Sequence, residues 1–237
     1  MVKCFSYEDV DKIVSGNFLE NDSPLNGTSG LCKQEISHFW VCAYPFFNTK
    51  LYVLPSAQLV QSRGELFSKL SIFDSDGALV NEVGASFRPG RVGVVDLDIL
   101  LGSCKLESGF KHAHLRVVSP AGCRHICRIY GRERGAIMGA PQLINQGRVG
   151  FFPLVFSEDR SPYVAIINLG SVNATVKCKL FCGSRTPELD CSVPAGGARI
   201  LSLAAEFAEY VQGQGEKVTH AYLRLGVREP ERLGAQL

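Results

Sequence analysis

The sequence predicts an all-β protein built from two tandem antiparallel β-sandwich modules with short decorating helices. Short runs rich in Val, Ile, Leu and Phe alternate with turn-forming Gly, Pro, Asp, Asn and Ser along most of the 237 residues, which is typical of strands joined by turns. At least one run alternates strictly between polar and apolar residues. Similar segments also return about 105 to 108 residues later. Together these three features indicate a duplicated β-sandwich.

The clearest strand signal is the run "TVKCKL" at 175–180. Successive side chains of a strand point to opposite faces. Lys177 and Lys179 should therefore face water, while Val176, Cys178 and Leu180 face a core.

The repeat is carried by four pairs of segments that occur in the same order. "HAHLR" at 112–116 returns as "HAYLR" at 220–224, and the other pairs are Phe73 with Phe181, Pro89 with Pro194, and Phe46-Phe47 with Phe151-Phe152. This period is far longer than a solenoid unit, so each copy is expected to be a domain with its own core.

The predicted domain boundaries follow from the repeat and from glycine usage. They are an N-terminal extension at 1–35, module 1 at 36–130, a linker at 131–149 and module 2 at 150–237. Five glycines and Pro141 between 130 and 150 argue against a continuous strand or helix in the linker.

Turns and helices complete the expected elements. "DSDG" at 74–77 and "SPAG" at 119–122 predict tight turns, because Gly and Asp tolerate the backbone angles that turns need. Ser6 and Asp9 ahead of an apolar run predict a short capped helix, and Leu203, Phe207 and Val211 have helical spacing.

Composition limits the possible partners and the compartment. A net charge of +2 gives no global attraction to nucleic acid or to an anionic membrane, so a nucleic-acid partner and membrane insertion are not expected. The first residues lack the apolar run of a secretory signal. Nine cysteines, scattered through apolar segments, are interpreted as buried thiols in a reducing cytoplasm.

The best candidate site is the segment 111–128, together with the arginines of the linker that follows it. If Ser119 to Gly122 closed a hairpin, then His114 would lie opposite Cys127 and Arg116 opposite His125. Imidazole and thiolate are zinc ligands, although the spacing matches no established zinc motif. The alternative is that the His and Arg side chains line a solvated face while the cysteines pack in the core.

Charge around this segment is uneven. Between 111 and 148 there are seven basic residues and one acid, Glu133, whereas residues 1–30 carry a net charge of −3. Arginine-rich segments suit phosphate or acidic protein faces, and an alternative is that these arginines pair with acids elsewhere in the molecule. The predicted contact residues are His112, His114, Arg116, Arg124, His125, Arg128, Arg132 and Arg134.

Signatures of catalysis are missing from the sequence. It contains no G-x-x-x-x-G-K-[ST], no G-x-S-x-G and no H-E-x-x-H, and Asp74 with Asp76 is better explained by turn chemistry than by calcium binding. No cofactor is expected. The predicted function is non-catalytic binding of a protein partner or a small ligand, by a homo-oligomer or a pseudo-dimer.

Two alternative functions are compatible with the sequence. A carbohydrate-binding module would expose Trp40 or Tyr44, since aromatic rings stack on sugar rings, although aromatics in alternating strands more often fill cores. A metal-dependent enzyme would use the 112–127 hairpin.

The order of motifs within a module resembles the small soluble sensory rhodopsin transducer family. The similar segments are "NLG" at 168–170, 73–77, 89–98, 112–120 and "RIYGRERGA" at 128–136. The resemblance implies a cytoplasmic β-sandwich that oligomerises and binds a partner protein, a membrane receptor being one candidate, with sugar binding in some relatives. This chain departs from that pattern in its second module, its N-terminal extension and its many cysteines.

Overall fold

The computed structural model is an all-β protein, as the sequence predicts. It describes residues 34–43, 47–56, 59, 64–104, 106–107, 110–131, 135–138, 141–144, 149–157, 161–211, 218–227 and 233–236. The chain divides into two compact units between Ala140 and Pro141, and the short segment Phe73–Ala78 belongs to the second unit.

The first unit has two antiparallel sheets. Its strands are β1 (Gln34–Ala43), β2 (Asn48–Pro55), β3 (Leu66–Phe73), β4 (Leu79–Phe87), β5 (Gly93–Asp96), β6 (Leu106–Glu107), β7 (Phe110–Pro120), β8 (Cys123–Tyr130) and β9 (Gly135–Met138). Sheet A has the order β1-β7-β3-β4, with β6 also paired to β7, and sheet B has the order β5-β2-β8-β9. A short 3₁₀ helix, Leu100–Ser103, follows β5.

Both sheets of the first unit contribute to one core, which makes it a β-sandwich. Phe39 of β1 and Leu115 of β7 come from sheet A, and Leu51 of β2 and Cys127 of β8 come from sheet B; all four are fully buried. Alternating buried residues on facing sheets are the usual basis of such a core.

The second unit is built in the same way. Its strands are β10 (Gln142–Ile144), β11 (Val149–Ser157), β12 (Tyr163–Asn168), β13 (Ala174–Phe181), β14 (Glu188–Val193), β15 (Ala198–Ser202), β16 (Val218–Val227) and β17 (Leu233–Gln236). Sheet C has the order β10-β17-β12-β15 and sheet D the order β11-β16-β13-β14. Their buried side chains, among them Ile166 of β12 and Leu180 of β13, form a second core.

Strand order is the same in the two units. Sheet D matches the β1-β7-β3-β4 path of sheet A, in which β6 has no counterpart, and sheet C matches sheet B. The one difference in sequence order is that β10 is the first strand of its unit, whereas β9 is the last strand of its own. Phe73 and Phe181 each end the third strand of the matched order. Phe151 and Phe152 lie inside β11, whereas Phe47 lies between strands, so that predicted pair does not mark equivalent positions.

The predicted boundaries need adjustment at two places. β1 begins at Gln34, inside the predicted N-terminal extension. The predicted linker contains β9 and β10, which pair with β8 and β17 and so extend sheets B and C. The glycine-rich segment therefore forms two short strands rather than one long one, and both strands pair with a neighbour.

The helices in the described part of the chain are short. The predicted helical segment forms α1 (Leu203–Glu206) and α2 (Ala208–Val211), separated at Phe207, and both Leu203 and Phe207 are buried in the second core. The helix predicted around Ser6 lies outside the described residues. Within the described part of the chain, no helix has the length and apolarity needed to cross a membrane.

The predicted "DSDG" turn is confirmed between β3 and β4. Asp74 Oδ1 accepts hydrogen bonds from the backbone N–H groups of Asp76 and Ala78 at 3.0 and 2.9 Å. Gly77 has φ of +85°, and a Cβ added there would lie 1.9 Å from the Ala195 carbonyl oxygen. Turn conformation and close backbone approach both require glycine at this position.

We expect Gly77→Ala to lower the free energy of unfolding by more than about 2 kcal/mol, because a side chain at positive φ is strained and would also collide with backbone. Urea denaturation monitored by circular dichroism measures this. Gly102→Ala is the control, since no atom lies within 4 Å of its added Cβ, and it should change stability by less than about 0.5 kcal/mol. Equal effects of the two substitutions would contradict the packing described for Gly77.

Candidate functional site

Strands β7 and β8 belong to different sheets, so the hairpin predicted over 111–128 is wrong. β7 pairs with β1, where His114 lies opposite Trp40 and His112 opposite Cys42. β8 pairs with β2, where Cys127 lies opposite Leu51. The two-residue turn at 121–122 carries the chain from one sheet of the sandwich to the other.

The buried rows of the two strands explain this arrangement. Ala113 and Leu115 on β7, and Cys123 and Cys127 on β8, all point into the first core. In a sandwich, strands on opposite sheets bury such rows against each other. A turn of this length permits either a hairpin or a crossing between sheets, and the second alternative occurs.

His112 and His114 lie on the side of sheet A that faces away from the core. They are 2% and 3% exposed, so they do not line a solvated face. His38 Nδ1 lies 2.8 Å from His114 Nε2, and the Trp40 and His112 rings are 6.0 Å apart. Sequence reasoning missed His38, although its position two residues before Trp40 in an alternating strand places both on one face.

Arg116 follows His114 on the same side of sheet A and is exposed. It pairs in register with His38. Burial, followed by the positive charge of Arg116, lowers the pKa of His38 from 6.5 to about 4. His38 is therefore neutral near pH 7, and a neutral imidazole has one donor and one acceptor nitrogen with which to form the short hydrogen bond to His114.

His125 points in the opposite direction, into the first unit. His125 Nδ1 lies 2.8 Å from Ser37 Oγ of β1 and its Nε2 lies 2.8 Å from Ser119 Oγ of β7. Ser119 Oγ lies in turn 2.6 Å from Ser68 Oγ of β3. This chain of hydrogen bonds, which we call the His125 network, joins sheet B to three strands of sheet A.

The remaining predicted contact residues of β8 lie on the outer side of sheet B. Arg124 and Arg128 are exposed, and Arg128 lies opposite Lys50 of β2. Lys50 Nζ and the Arg128 guanidinium carbon lie 5.3 and 5.8 Å from the centre of the Tyr130 ring. We call this surface, formed by Lys50, Tyr52, Arg124, Arg128 and Tyr130, the basic face.

The structure thus distributes the predicted site over three places. His112, His114 and Arg116 are on one side of sheet A, His125 is in the interior, and Arg124 and Arg128 are on the basic face. Arg132 and Arg134 lie outside the described residues, as does Tyr44. Lys50 and Tyr52 were missed, although their alternation with buried residues in "KLYV" (50–53) identifies their face once the pairing of β2 with β8 is known.

The imidazole and thiolate groups of the predicted zinc site do not come together. Cys127 and His125 point inward, whereas His112 and His114 point to the other side of sheet A. Among the described residues, no group of three or more His, Cys, Asp or Glu is placed to hold a metal ion.

The described thiols are not activated. Cys42, Cys104, Cys123, Cys127, Cys178, Cys182 and Cys191 are all free and buried, as the sequence predicts. Burial raises the pKa of both Cys42 and Cys178 to about 12 and raises the pKa of Cys127 still further. Because the thiolate is the reactive form, these cysteines act as small apolar side chains.

Comparison of the chain with protein-family models, with curated proteins and with solved structures gives no match. The resemblance to the sensory rhodopsin transducer family therefore stays a prediction.

We expect His125→Leu to destabilise the chain by about 2 to 4 kcal/mol, because it leaves the buried Ser119 hydroxyl and the half-buried Ser37 hydroxyl without their imidazole partner. Urea denaturation of the reduced protein measures this. His220→Leu, at an exposed position of β16, should change stability by less than about 0.5 kcal/mol. A loss below about 1 kcal/mol for His125→Leu would show that the network contributes little.

Stability should also fall as the pH is lowered from 6.5 toward 4. Burial lowers the pKa of His125 from 6.5 to about 4, so over this interval the unfolded chain binds a proton that the folded chain excludes. The slope for one such group is at most about 1.4 kcal/mol per pH unit. His125→Gln should reduce the pH dependence of the unfolding midpoint without abolishing it, because the pKa of His38 is lowered over the same interval. Parallel curves for the variant and the unmodified chain would disprove the assignment.

Proposed function

We propose that this chain is a non-catalytic binding protein that recruits an acidic segment of a partner protein through the basic face. The proposal keeps the class of function that the sequence predicts. It moves the contact surface from a hairpin to the outer side of strands β2 and β8.

The observation that carries the proposal is the register of Lys50 opposite Arg128. Like charges directly opposite each other on neighbouring strands destabilise a sheet. Asp96, on the other side of Lys50, is 4.0 Å away, and Asp98 also interacts with Lys50. These two carboxylates offset only part of the charge of the three cations Lys50, Arg124 and Arg128. A bound carboxylate would offset the rest.

The ring of Tyr130 contacts two of these cations, Lys50 and Arg128. A hydrogen bond to Tyr130 is the largest cause of the raised pKa of Lys50. Arginine also offers a planar fork that matches a carboxylate in two parallel hydrogen bonds. Tyr and Arg are the residue types that most often dominate protein interfaces.

The described residues give little support to a catalytic alternative. Burial raises the pKa values of Cys42, Cys127 and Cys178. The lowered pKa values of His38 and His125 leave those imidazoles neutral and hydrogen-bonded to neighbouring side chains. A nucleophile normally needs an adjacent base that is free to accept its proton.

Two further points belong to the proposal. The seven described cysteines are reduced and buried, which suits a cytoplasmic location. The matching strand orders of the two units support an origin by tandem duplication, after which only the first unit carries the basic face.

The test measures binding of a fluorescently labelled polyglutamate peptide by anisotropy. Arg124→Ala combined with Arg128→Ala should weaken binding at least about tenfold, because two charge-assisted contacts are lost. The melting temperature should stay nearly unchanged, since both side chains are exposed.

The matched control is Arg116→Ala. Arg116 is an exposed arginine of the same unit but lies on sheet A, so its loss should leave the affinity within about twofold. Failure of the unmodified chain to bind the peptide, or equal weakening by Arg116→Ala, would refute the basic face as the contact surface.

A further inference from the structure

The outer side of sheet D exposes large aromatic side chains. Phe151 and Tyr222 are 54% and 58% exposed. On the matching side of sheet A, His112 and His114 are buried within the chain. Exposed aromatic groups gathered on one sheet face mark an interaction surface more often than an ordinary solvated face.

Strand register arranges this surface in two rows that run across β11, β16 and β13. Tyr222 pairs with Pro153 on one side and with Phe181 on the other, and Arg224 pairs with Phe151 and Lys179. The first row is therefore Phe151, Arg224 and Lys179, and the second row is Pro153, Tyr222 and Phe181.

The two rows are complementary to each other. Consider a two-fold axis that lies between the two rows, parallel to the plane of the sheet and perpendicular to its strands. Rotation about this axis places each strand over its own copy and each row over the other row. In a second copy placed by this axis, Arg224 meets Tyr222 and Lys179 meets Phe181, so that each cation lies against a ring. The remaining pair is Phe151 against Pro153, which is apolar.

We propose that the outer side of sheet D is the interface of a symmetric homodimer of this chain. Interfaces around a two-fold axis must be self-complementary, and the two rows satisfy that condition. Cation–ring contact already occurs within one chain, where Lys179 Nζ lies 5.6 Å from the centre of the Phe181 ring.

The outer side of sheet D carries both positive and negative side chains, which favours a second copy of this chain over a nucleic acid as the partner. Glu188 pairs with both Lys177 and Lys179, and these contacts lower its pKa to about 2. A permanently ionised carboxylate beside the two lysines repels phosphate. The same group is compatible with a partner that presents its own lysines and rings.

The experiment measures the mass of the reduced, full-length chain by sedimentation equilibrium over a wide concentration range. The unmodified chain should approach twice its mass of 25.8 kDa. Tyr222→Lys should dissociate it, with a dimer dissociation constant at least about tenfold higher, because the new lysine faces Arg224 of the other copy. Arg224→Glu alone should also weaken the dimer.

The double variant, Tyr222→Lys with Arg224→Glu, distinguishes this register from others. Each copy then presents a lysine to a glutamate, so the dimer should re-form to within about tenfold of the original affinity. Val172→Ser is the control, since Val172 is 52% exposed in the same unit and lies in the turn after β12, away from both rows.

A monomeric unmodified chain would overturn the proposal, as would a dimer that Tyr222→Lys leaves intact. A double variant as monomeric as Tyr222→Lys would also overturn it. Circular dichroism of every variant should match that of the unmodified chain, because both substituted side chains are exposed. Polyglutamate binding by the basic face is measured separately, so the two proposals can fail independently.

Discussion

The buried hydrogen bonds of His125 fix which way strand β8 faces, and the surface chemistry of the first unit depends on that orientation. Because side chains alternate along a strand, an inward His125 requires outward Arg124, and the same alternation turns Arg128 outward. The two serines that contact the imidazole come from β1 and β7 of the opposite sheet, and Ser68 of β3 continues the network. The hydrogen bonds of one buried side chain thereby determine which residues of β8 face the core and which form the basic face.

The two units share one strand order but differ in which of their sheet faces are exposed. The outer side of sheet A buries histidines and Cys42, whereas the matching side of sheet D is open and carries Tyr222, Arg224 and Phe151. Exposed chemistry of the first unit lies instead on sheet B, where cations face each other across β2 and β8. A shared strand order therefore presents different side chains on the exposed faces of the two units.

Local features of this fold can be predicted from the sequence, and long-range pairing cannot. Alternation in 175–180, glycine in the "DSDG" turn and apolar spacing around Phe207 are local, and the structure confirms each of them. The turn at 121–122 is equally compatible with a hairpin and with a crossing between sheets. The choice between a hairpin and a crossing depends on the core, which assembles residues far apart in sequence. Because the chain crosses between sheets here, the predicted zinc ligands lie on different sheets.

The central claim is that β7 and β8 lie in opposite sheets, and NMR measures it directly. In a labelled sample, nuclear Overhauser effects between Hα protons of facing residues report strand pairing. The structure predicts contacts of β7 with β1, such as His114 with Trp40, and of β8 with β2, such as Cys127 with Leu51. A contact between His114 and Cys127 would show a hairpin and contradict the account.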